Sequence, residues 1–261
     1  MDVTHRAAEE SLAGKVAIVT GAAGAIGSAV ARRLRDLGVS LSLVDLDGEA
    51  LARLASEFPE ALTIAADVTS EDAVMDYVAR TVERFGGVDL FFNNAGIEGK
   101  VAPITEMRLE DFERVMAVNV RGVFLGLKAV LGAMKRQGRG GAVVNSASQA
   151  GIRGGPNIAP YIASKHAVVG LTRTAALEAA RYGVRVNAVA PGYIESRMLR
   201  SLAAQNRPQD PEGGLAERSF SVPWGRLGTP DDVARAVTWL LSPGAEYITG
   251  VTLLVDGGVN A

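Results

Sequence analysis

The chain has 261 residues, of which 48% are hydrophobic and 21% charged, and its formal net charge is −2. This length allows one large α/β domain. The absence of cysteine excludes disulfides and thiolate catalysis, and a near-neutral charge without a basic stripe argues against nucleic acid as a partner. No apolar run is expected to span a bilayer, and residues 1–11 carry no signal-peptide pattern, so we expect a cytoplasmic protein without membrane association.

Apolar runs of strand length alternate with helical patterns along the chain. The predicted strands cover residues 15–20, 39–44, 61–66, 88–93, 142–148, 184–190 and 251–255. The predicted helices cover residues 25–37, 48–57, 71–85, 111–136, 161–182 and 231–241. Strands that are apolar throughout are buried on both faces, and their alternation with helices indicates βαβ units. The pattern predicts an α/β fold, a doubly wound parallel sheet of seven strands with helices on both faces.

Several parts of the chain call for a separate interpretation. We expect residues 1–13 to form a mobile tail before a single domain, residues 14–261. Residues 195–224 contain NRPQDPEGG and are predicted to be irregular, either as a plain loop or as a substrate lid; their place after a strand end favours the lid. The helices at 111–136 and 161–182 are apolar almost all round, although a helix on a sheet needs one apolar face. We expect their second face to lie against another subunit, the alternative being a covering loop of the same chain.

The first predicted strand runs directly into a glycine-rich turn, TGAAGAIG, which opens a helix. A helix N-terminus offers unpaired N–H groups and a positive dipole end, and glycine lets a pyrophosphate approach the backbone. This Rossmann-type arrangement predicts a dinucleotide site, with a simple tight turn as the alternative. The candidate cofactor-binding residues of the turn are Gly21, Gly24, Ile26 and Gly27.

Asp45, followed by Leu46, ends the second predicted strand. A carboxylate at this place accepts hydrogen bonds from the adenosine ribose hydroxyls and repels a 2′-phosphate. No arginine follows immediately to bind such a phosphate, so the sequence favours NAD over NADP as the cofactor. A solvated turn aspartate is the alternative interpretation of Asp45.

Two further strand ends carry residues that suit the cofactor. Asp67 and Val68 follow the third strand, and Asp67 either binds the adenine edge or caps the next helix. Asn94, Ala95 and Gly96 close the fourth strand within NNAG, where doubly wound sheets bind ligands. A turn rich in Asn and Gly is the alternative there.

Tyr161 and Lys165 lie four residues apart at the start of a predicted helix, and Ser148 ends the preceding strand. Ketone reduction needs a hydride on carbon and a proton on oxygen. A nearby ammonium lowers the pKa of a tyrosine, ordinarily about 10, and a serine hydroxyl stabilises a developing alkoxide. These residues predict a proton-transfer centre, with a buried core tyrosine as the alternative. His5 and His166 are expected to be structural or solvated, and no spacing predicts a metal site.

Taken together, the motifs resemble the short-chain dehydrogenase/reductase family over residues 12–261. The matching pieces are TGAAGAIG, Asp67-Val68, NNAG, VNVRG, VNSAS, YIASK, PGYIES and DGG. The resemblance implies an NAD-dependent oxidoreductase. Its expected substrates are small, fairly apolar secondary alcohols or ketones, including cyclic ones. It also implies a homotetramer built on the two long helices. The segments GIEGK, GVFLG, GIRG and KHAVVGLTR resemble reductases of cyclic diketones such as levodione.

The resemblance also implies roles for individual residues. Tyr161 corresponds to the general acid/base, and Lys165 to the group that holds the nicotinamide ribose and lowers the tyrosine pKa. Ser148 corresponds to the residue that orients the substrate oxygen. Asn119 corresponds to the residue that kinks the long helix and holds a relay water.

At the cofactor, the resemblance implies that Ile194 offers backbone contacts to the nicotinamide amide and that Ser196 is its hydroxyl partner. Asn94 is implied to lie near the adenosine ribose. Two residues depart from the family pattern. Ala25 replaces the middle glycine of the turn, which puts the closeness of the pyrophosphate in doubt, and Ser196 stands where threonine is commoner.

Two other functions compete with this interpretation. A 3-oxoacyl-carrier-protein reductase usually goes with NADPH and a basic docking surface, and Asp45 weighs against the first. A non-catalytic binding protein on the same scaffold would have lost the Ser-Tyr-Lys set, which is intact here. Substrate specificity is expected to come from residues 98–103, from 149–160 and from the 195–224 segment.

Overall fold

A computed structural model describes residues 12–261. Its strands form one sheet in which every neighbouring pair is parallel, which confirms the predicted fold class. The strands are β1 (Val16–Thr20), β2 (Ser40–Asp45), β3 (Leu62–Ala65), β4 (Leu90–Asn93), β5 (Gly141–Ser146), β6 (Val184–Pro191) and β7 (Thr252–Val255). Their order across the sheet is β3-β2-β1-β4-β5-β6-β7. The winding direction reverses between β1 and β4, and such a reversal creates a crevice at the carboxyl ends of the strands.

Helices cover both faces of the sheet. They are α1 (Ala25–Asp36), α2 (Gly48–Ala55), α3 (Glu71–Phe85), α4 (Leu109–Met116), α5 (Gly122–Gln137), α6 (Ala159–Ala179), α7 (Arg197–Asn206), α8 (Pro211–Phe220) and α9 (Pro230–Leu241). Successive strand residues point to opposite faces. Val19 and Phe92 accordingly join the core under α1 and α9, whereas Ile18 and Phe91 join the core under α3, α5 and α6. The continuous apolar strands of the sequence are therefore buried on both sides.

Local signals set the ends of α3, whose predicted and observed bounds coincide. The Ser70 hydroxyl accepts a hydrogen bond from the Ala73 N–H and so caps the first turn. Gly86 follows the last turn with φ 81°, a left-handed conformation that glycine adopts without a steric penalty. Since Ser70 supplies the cap, the alternative that Asp67 caps this helix is wrong. The Asp67 carboxylate instead accepts from the Thr69 N–H within its own turn.

The predicted helix at 111–136 is two helices joined by one π-helical turn. Residues Ala117–Arg121 form this turn between α4 and α5. By length and composition alone, the whole stretch Leu109–Gln137 could cross a membrane. The expectation that the chain has no apolar run of this length is therefore corrected. Half of its most apolar part is buried inside the protein, because α5 packs against β4, α3 and α6. It is therefore a core helix of this fold.

The 195–224 segment is helical, so the prediction of an irregular stretch is wrong. Ser196 caps α7 through the Leu199 N–H, and Asp210 caps α8 through the Gly213 N–H. Pro211 occupies the first helical position, where its missing N–H costs nothing. The two helices pack against each other as a hairpin beyond the carboxyl end of β6.

The predicted N-terminal tail falls largely outside the described residues, which begin at Leu12. Leu12 itself is only 2% exposed and belongs to the core under α1 and α9. The packed domain therefore starts at least two residues before the predicted boundary at residue 14.

Candidate active site

The candidate site lies at the carboxyl ends of β1, β2, β4, β5 and β6. Because the strands are parallel, the segments that follow them meet at one edge of the sheet. A cleft of about 450 Å³ opens at this edge. Among its lining residues are Ile26, Asn94, Gly96, Ser148, Tyr161, Lys165, Ile194 and Ser196. The structure thus brings predicted cofactor-binding and catalytic residues to one cleft.

The glycine-rich turn owes its shape to close backbone contacts. Gly21 has φ 61°, and a Cβ at this residue would lie 2.9 Å from Nδ2 of Asn94. Gly27, inside α1, packs so closely that a Cβ would lie 2.1 Å from the Gly21 carbonyl oxygen. Gly24 precedes α1 and no side chain caps the helix, which leaves its first N–H groups for a ligand. Ala25, the departure from the family pattern, is exposed at the first helical position.

Asn94 and Thr20 join this turn to β4. The Asn94 side-chain amide donates to the carbonyls of Thr20 (3.0 Å) and Gly21 (3.2 Å). The Thr20 hydroxyl accepts from the N–H groups of Asn94 and Ala95, at 2.9 and 3.1 Å. Sequence reasoning missed this role of Thr20, although its place directly before Gly21 was a signal. The two loops are therefore one hydrogen-bonded unit.

Asp45 lies beside the same turn at the end of β2. One carboxylate oxygen accepts from the Ala23 N–H at 2.9 Å, and the other from the Asp47 N–H at 3.1 Å. The negative charge therefore stands next to the glycine-rich turn. Leu46, its neighbour, is 72% exposed and forms an apolar surface there.

Tyr161 and Lys165 lie in the first two turns of α6, facing the turn after β5. The Lys165 ammonium donates to the Ser146 carbonyl at 2.7 Å, and its Nζ lies 5.6 Å from the Tyr161 ring centroid. Ser148 lies two residues beyond β5 rather than in the strand, and its hydroxyl accepts from the Ala150 N–H at 3.1 Å. The three predicted catalytic side chains are thus neighbours in the cleft.

Burial dominates the electrostatics of this pair. It raises the pKa of the Tyr161 phenol, an effect that a hydrogen bond with Ser148 partly offsets and that the Glu98 charge reinforces. Burial also lowers the pKa of Lys165 to about 8. The net direction of the Tyr161 pKa in this structure is therefore upward, and the lowering by Lys165 that the family resemblance implies stays a prediction. Both shifts arise because desolvation penalises the charged form of each group.

Asn119 lies inside the π-helical turn and is fully buried. Its side-chain carbonyl accepts from the Ile97 N–H at 2.8 Å, and its amide donates to the Ile97 carbonyl at 2.9 Å and to the Ser164 hydroxyl at 3.0 Å. A Cβ on Gly96 would lie 3.2 Å from Oδ1 of Asn119 and 3.6 Å from Nζ of Lys165. Asn119 therefore fastens the segment after β4 to the helix that carries Tyr161.

The segment after β6 forms another wall of the cleft. Ile194 pairs in parallel with Gly228, and the Ser196 hydroxyl donates to the Ile194 carbonyl at 3.2 Å. The same hydroxyl caps α7, a second function that serine retains in place of threonine. These bonds fix the backbone that the family resemblance assigns to the nicotinamide amide.

Two of the three predicted specificity segments line the cleft. They contribute Gln149, Ala150, Arg153, Gly154, Gly155, Pro156, Ile158, Met198, Leu199, Leu202, Asn206 and Arg218. The 98–103 segment does not line it; the Val101 N–H instead donates to the Gln205 side chain on α7. Tyr193, which sequence reasoning did not single out, is also part of the wall. His166 is exposed on α6, where its ring contacts the Ile162 carbonyl.

Known proteins match almost the whole chain. A family model described as enoyl-(acyl carrier protein) reductase matches residues 21–260. Levodione reductase of Leifsonia aquatica is 44% identical over 95% of this chain and 94% of its own length. The chain belongs to the short-chain dehydrogenase/reductase family. The predicted family is thereby confirmed.

Solved structures agree with this assignment. The crystal structure of levodione reductase has a TM-score of 0.90 and covers 94% of this chain and 97% of its own. A structure of xylitol dehydrogenase with bound NAD+ also has a TM-score of 0.90 at 40% identity, covering 95% of this chain and 99% of its own. In sequence, a 2,5-dichloro-2,5-cyclohexadiene-1,4-diol dehydrogenase of Sphingobium indicum is 40% identical over 96% of this chain and 98% of its length. These relatives are all named as dehydrogenases or reductases.

Proposed function

We propose that the protein transfers a hydride between NAD(H) and a small, fairly apolar secondary alcohol or ketone, cyclic compounds included. The observation that carries this proposal is the meeting of Ser148, Tyr161 and Lys165 in the cleft that also receives the glycine-rich turn. The relatives support both halves of the reaction, since one has NAD+ bound and others are named for cyclic substrates.

The residues at the sheet edge fit a dinucleotide. The close contact of Gly27 with Gly21 keeps the turn tight, and the uncapped N-terminus of α1 suits the pyrophosphate. We propose that Asp45 binds the adenosine ribose and that Leu46, Asp67 and Val68 contact the adenine. The remaining proposed contacts are Asn94, Ala95 and Gly96 near the ribose, Tyr161 and Lys165 at the nicotinamide ribose, and Ile194 and Ser196 at the amide. When bound, NADH supplies the hydride.

In the proposed mechanism, Tyr161 delivers the proton to the substrate oxygen during reduction and removes it during oxidation. Ser148 donates a hydrogen bond to the same oxygen and stabilises its developing negative charge. Lys165 is held by the Ser146 carbonyl beside Tyr161, and its ammonium favours the phenolate as charge develops. Asn119 positions these groups and holds a water on the proton path.

The hairpin of α7 and α8 acts as a substrate lid in this proposal, because both helices contribute residues to the cleft wall. We also propose a cytoplasmic homotetramer. Apolar side chains on the outer faces of the long helices are not covered by residues 12–261, with Phe124 49% and Leu177 83% exposed. Large exposed apolar side chains of this kind mark interfaces. Light scattering after gel filtration tests this assembly.

A 3-oxoacyl-carrier-protein reductase is the second candidate, favoured by the similarity to a solved 3-ketoacyl-(acyl-carrier-protein) reductase from Brucella melitensis, which is 37% identical and has a TM-score of 0.87. Such reductases usually take NADPH, and Asp45 argues against this cofactor because its carboxylate repels the 2′-phosphate. Initial rates with NADH and NADPH separate the two: a strong preference for NADPH would contradict the NAD proposal. A non-catalytic protein on this scaffold would turn over no substrate with either cofactor.

The central experiment is a panel of cyclic and open-chain ketones and alcohols assayed with NADH and NAD+. On the best substrate, Tyr161→Phe should lower kcat by roughly 100-fold or more, because the proton donor is lost. Tyr247→Phe is the matched control, since this fully exposed tyrosine lies outside the cleft. A near-native rate for Tyr161→Phe would show that the proton comes from another group.

A further inference from the structure

Two arginines line the cleft and have no acidic partner among the residues that the structure describes. Arg153 follows β5 and Arg218 lies on α8, and neither forms an ion pair with any carboxylate of residues 12–261. Nη1 of Arg218 is buried and has no hydrogen-bond partner within the same part of the chain. Arg218 as a whole is partly exposed, but a buried N–H without an acceptor is costly, so this atom points to a missing acceptor such as an anion.

Tyr193 joins the two arginines into one cluster. The Arg218 guanidinium lies 5.8 Å from the Tyr193 ring centroid, while Nη2 of Arg153 lies 3.4 Å from the Tyr193 hydroxyl. Nη2 of Arg153 also donates to Oε1 of Gln149 at 3.0 Å. These contacts hold both guanidinium groups at one wall of the cleft. A guanidinium offers several N–H donors in a planar fork that matches a carboxylate.

The net charge differs between two parts of the cleft, the reacting part at Tyr161 and the arginine cluster. Near the Tyr161 phenol, the Glu98 charge is opposed by the Lys165 ammonium, so the reacting part of the cleft holds one charge of each sign. The cluster of Arg153, Tyr193 and Arg218 carries two positive charges. A substrate with a carboxylate at one end would therefore be oriented with that group toward the cluster and its carbonyl toward Tyr161.

We propose that the substrate carries a carboxylate that binds to Arg218 and Arg153 while its ketone or secondary alcohol lies at Tyr161. This inference rests on the proposed function and narrows it to keto acids and hydroxy acids with an otherwise apolar body. The carboxylate takes no part in the hydride transfer. It supplies the anion that Nη1 of Arg218 lacks.

Matched substrates test the proposal directly. 3-Oxocyclohexanecarboxylate and 4-oxocyclohexanecarboxylate are compared with their methyl esters as substrates for NADH-dependent reduction. The wild-type enzyme should have a higher kcat/KM for at least one acid than for its ester. Arg218→Met should lower this acid-to-ester ratio by roughly 10- to 100-fold, as expected for the loss of a charged hydrogen bond. Arg218→Lys should restore part of the ratio.

Arg200→Met is the matched control, because Arg200 lies on the neighbouring lid helix, is paired with Glu212 and does not line the cleft. It removes the same charge and should leave the ratio within about twofold of wild type. A second readout is independent of turnover: calorimetric binding of cyclohexanecarboxylate to the NAD+-saturated enzyme should weaken in Arg218→Met and not in Arg200→Met.

The outcomes separate the inference from the proposed function. Reduction of the esters with no preference for either acid overturns the inference and leaves the proposed function standing. No reduction of any ketone counts against the proposed function, and the calorimetric comparison then decides the carboxylate site by itself. A higher KM for NADH in Arg218→Met with an unchanged acid-to-ester ratio assigns Arg218 to the cofactor and overturns the inference.

Discussion

The substitution Gly27→Ala sets two physical effects of opposite sign against each other. Alanine is favoured over glycine inside a helix by about 0.5–1 kcal/mol, so helix propensity alone predicts a more stable protein. A Cβ at residue 27, however, would lie 2.1 Å from the Gly21 carbonyl oxygen. That oxygen cannot move freely, because it accepts from the Gly24 N–H and the Asn94 side chain.

Overpacking of this kind costs about 1–3 kcal/mol, and contact with fixed backbone places it at the upper end. After the gain in helix propensity, the free energy of unfolding should fall by about 2 kcal/mol. For a chain of this length, that change lowers Tm by about 4–8 °C. Since the clash displaces the turn that receives the pyrophosphate, the Kd for NAD+ should rise about tenfold or more.

Scanning calorimetry and NAD+ titration measure both effects. Gly48→Ala is the control, because a Cβ there would make an ordinary 3.6 Å contact with Ala65. Its Tm should stay level or rise by up to about 3 °C. If Gly27→Ala were as stable as wild type, or more so, the argument from close packing would be refuted.

Three other substitutions test separate parts of the site. Asp45→Asn should raise kcat/KM for NADPH relative to NADH by about tenfold or more, since it removes a like charge; an unchanged ratio in initial-rate assays would contradict the role of Asp45. Burial lowers the Lys165 pKa from 10.5 to about 8, so between pH 8 and 10 the unfolded chain holds a proton that the folded protein has released. The stability contributed by this group therefore rises with pH in that range, and the difference in Tm between wild type and Lys165→Met should shift in favour of wild type from pH 8 to 10. Parallel plots of Tm against pH for the two proteins would argue against a lowered Lys165 pKa. Asn119→Leu leaves the N–H and carbonyl of Ile97 without their Asn119 partners, so the free energy of unfolding should fall by about 2–6 kcal/mol in urea titrations. A loss below about 0.5 kcal/mol would count against the hydrogen bonds described.

The sheet was predictable because strand and helix periodicities differ and the burial of parallel strands leaves long apolar runs. The ends of α3 were predictable because Ser70 and Gly86 act locally, within one turn of the helix. The π-helical turn at 117–121 was not readable from periodicity, since one extra residue hardly changes an apolar pattern that already goes round the helix. Only the family resemblance placed a kink at Asn119.

The lid helices show tertiary packing overriding local preference. Gly213 and Gly214 each disfavour a helix by about 1 kcal/mol, and the sequence therefore indicated a loop. In the structure Gly214 is buried against the Ala203 and Arg207 side chains, so the burial gained by packing α8 on α7 outweighs the low helix propensity of glycine. The signal that was available is Asp210 followed by Pro211, a capping residue before a favoured first helical position.

The sequence by itself determined the fold class, the family and the order of the chemical groups, because these depend on local pattern and on spacing along the chain. The tertiary structure alone decided the direction of the Tyr161 pKa, since desolvation depends on what surrounds the phenol. It also decided that Arg153 and Arg218, far apart in sequence, share one wall of the cleft with Tyr193. Burial and long-range contact arise only when the chain packs, and no short stretch of sequence encodes them.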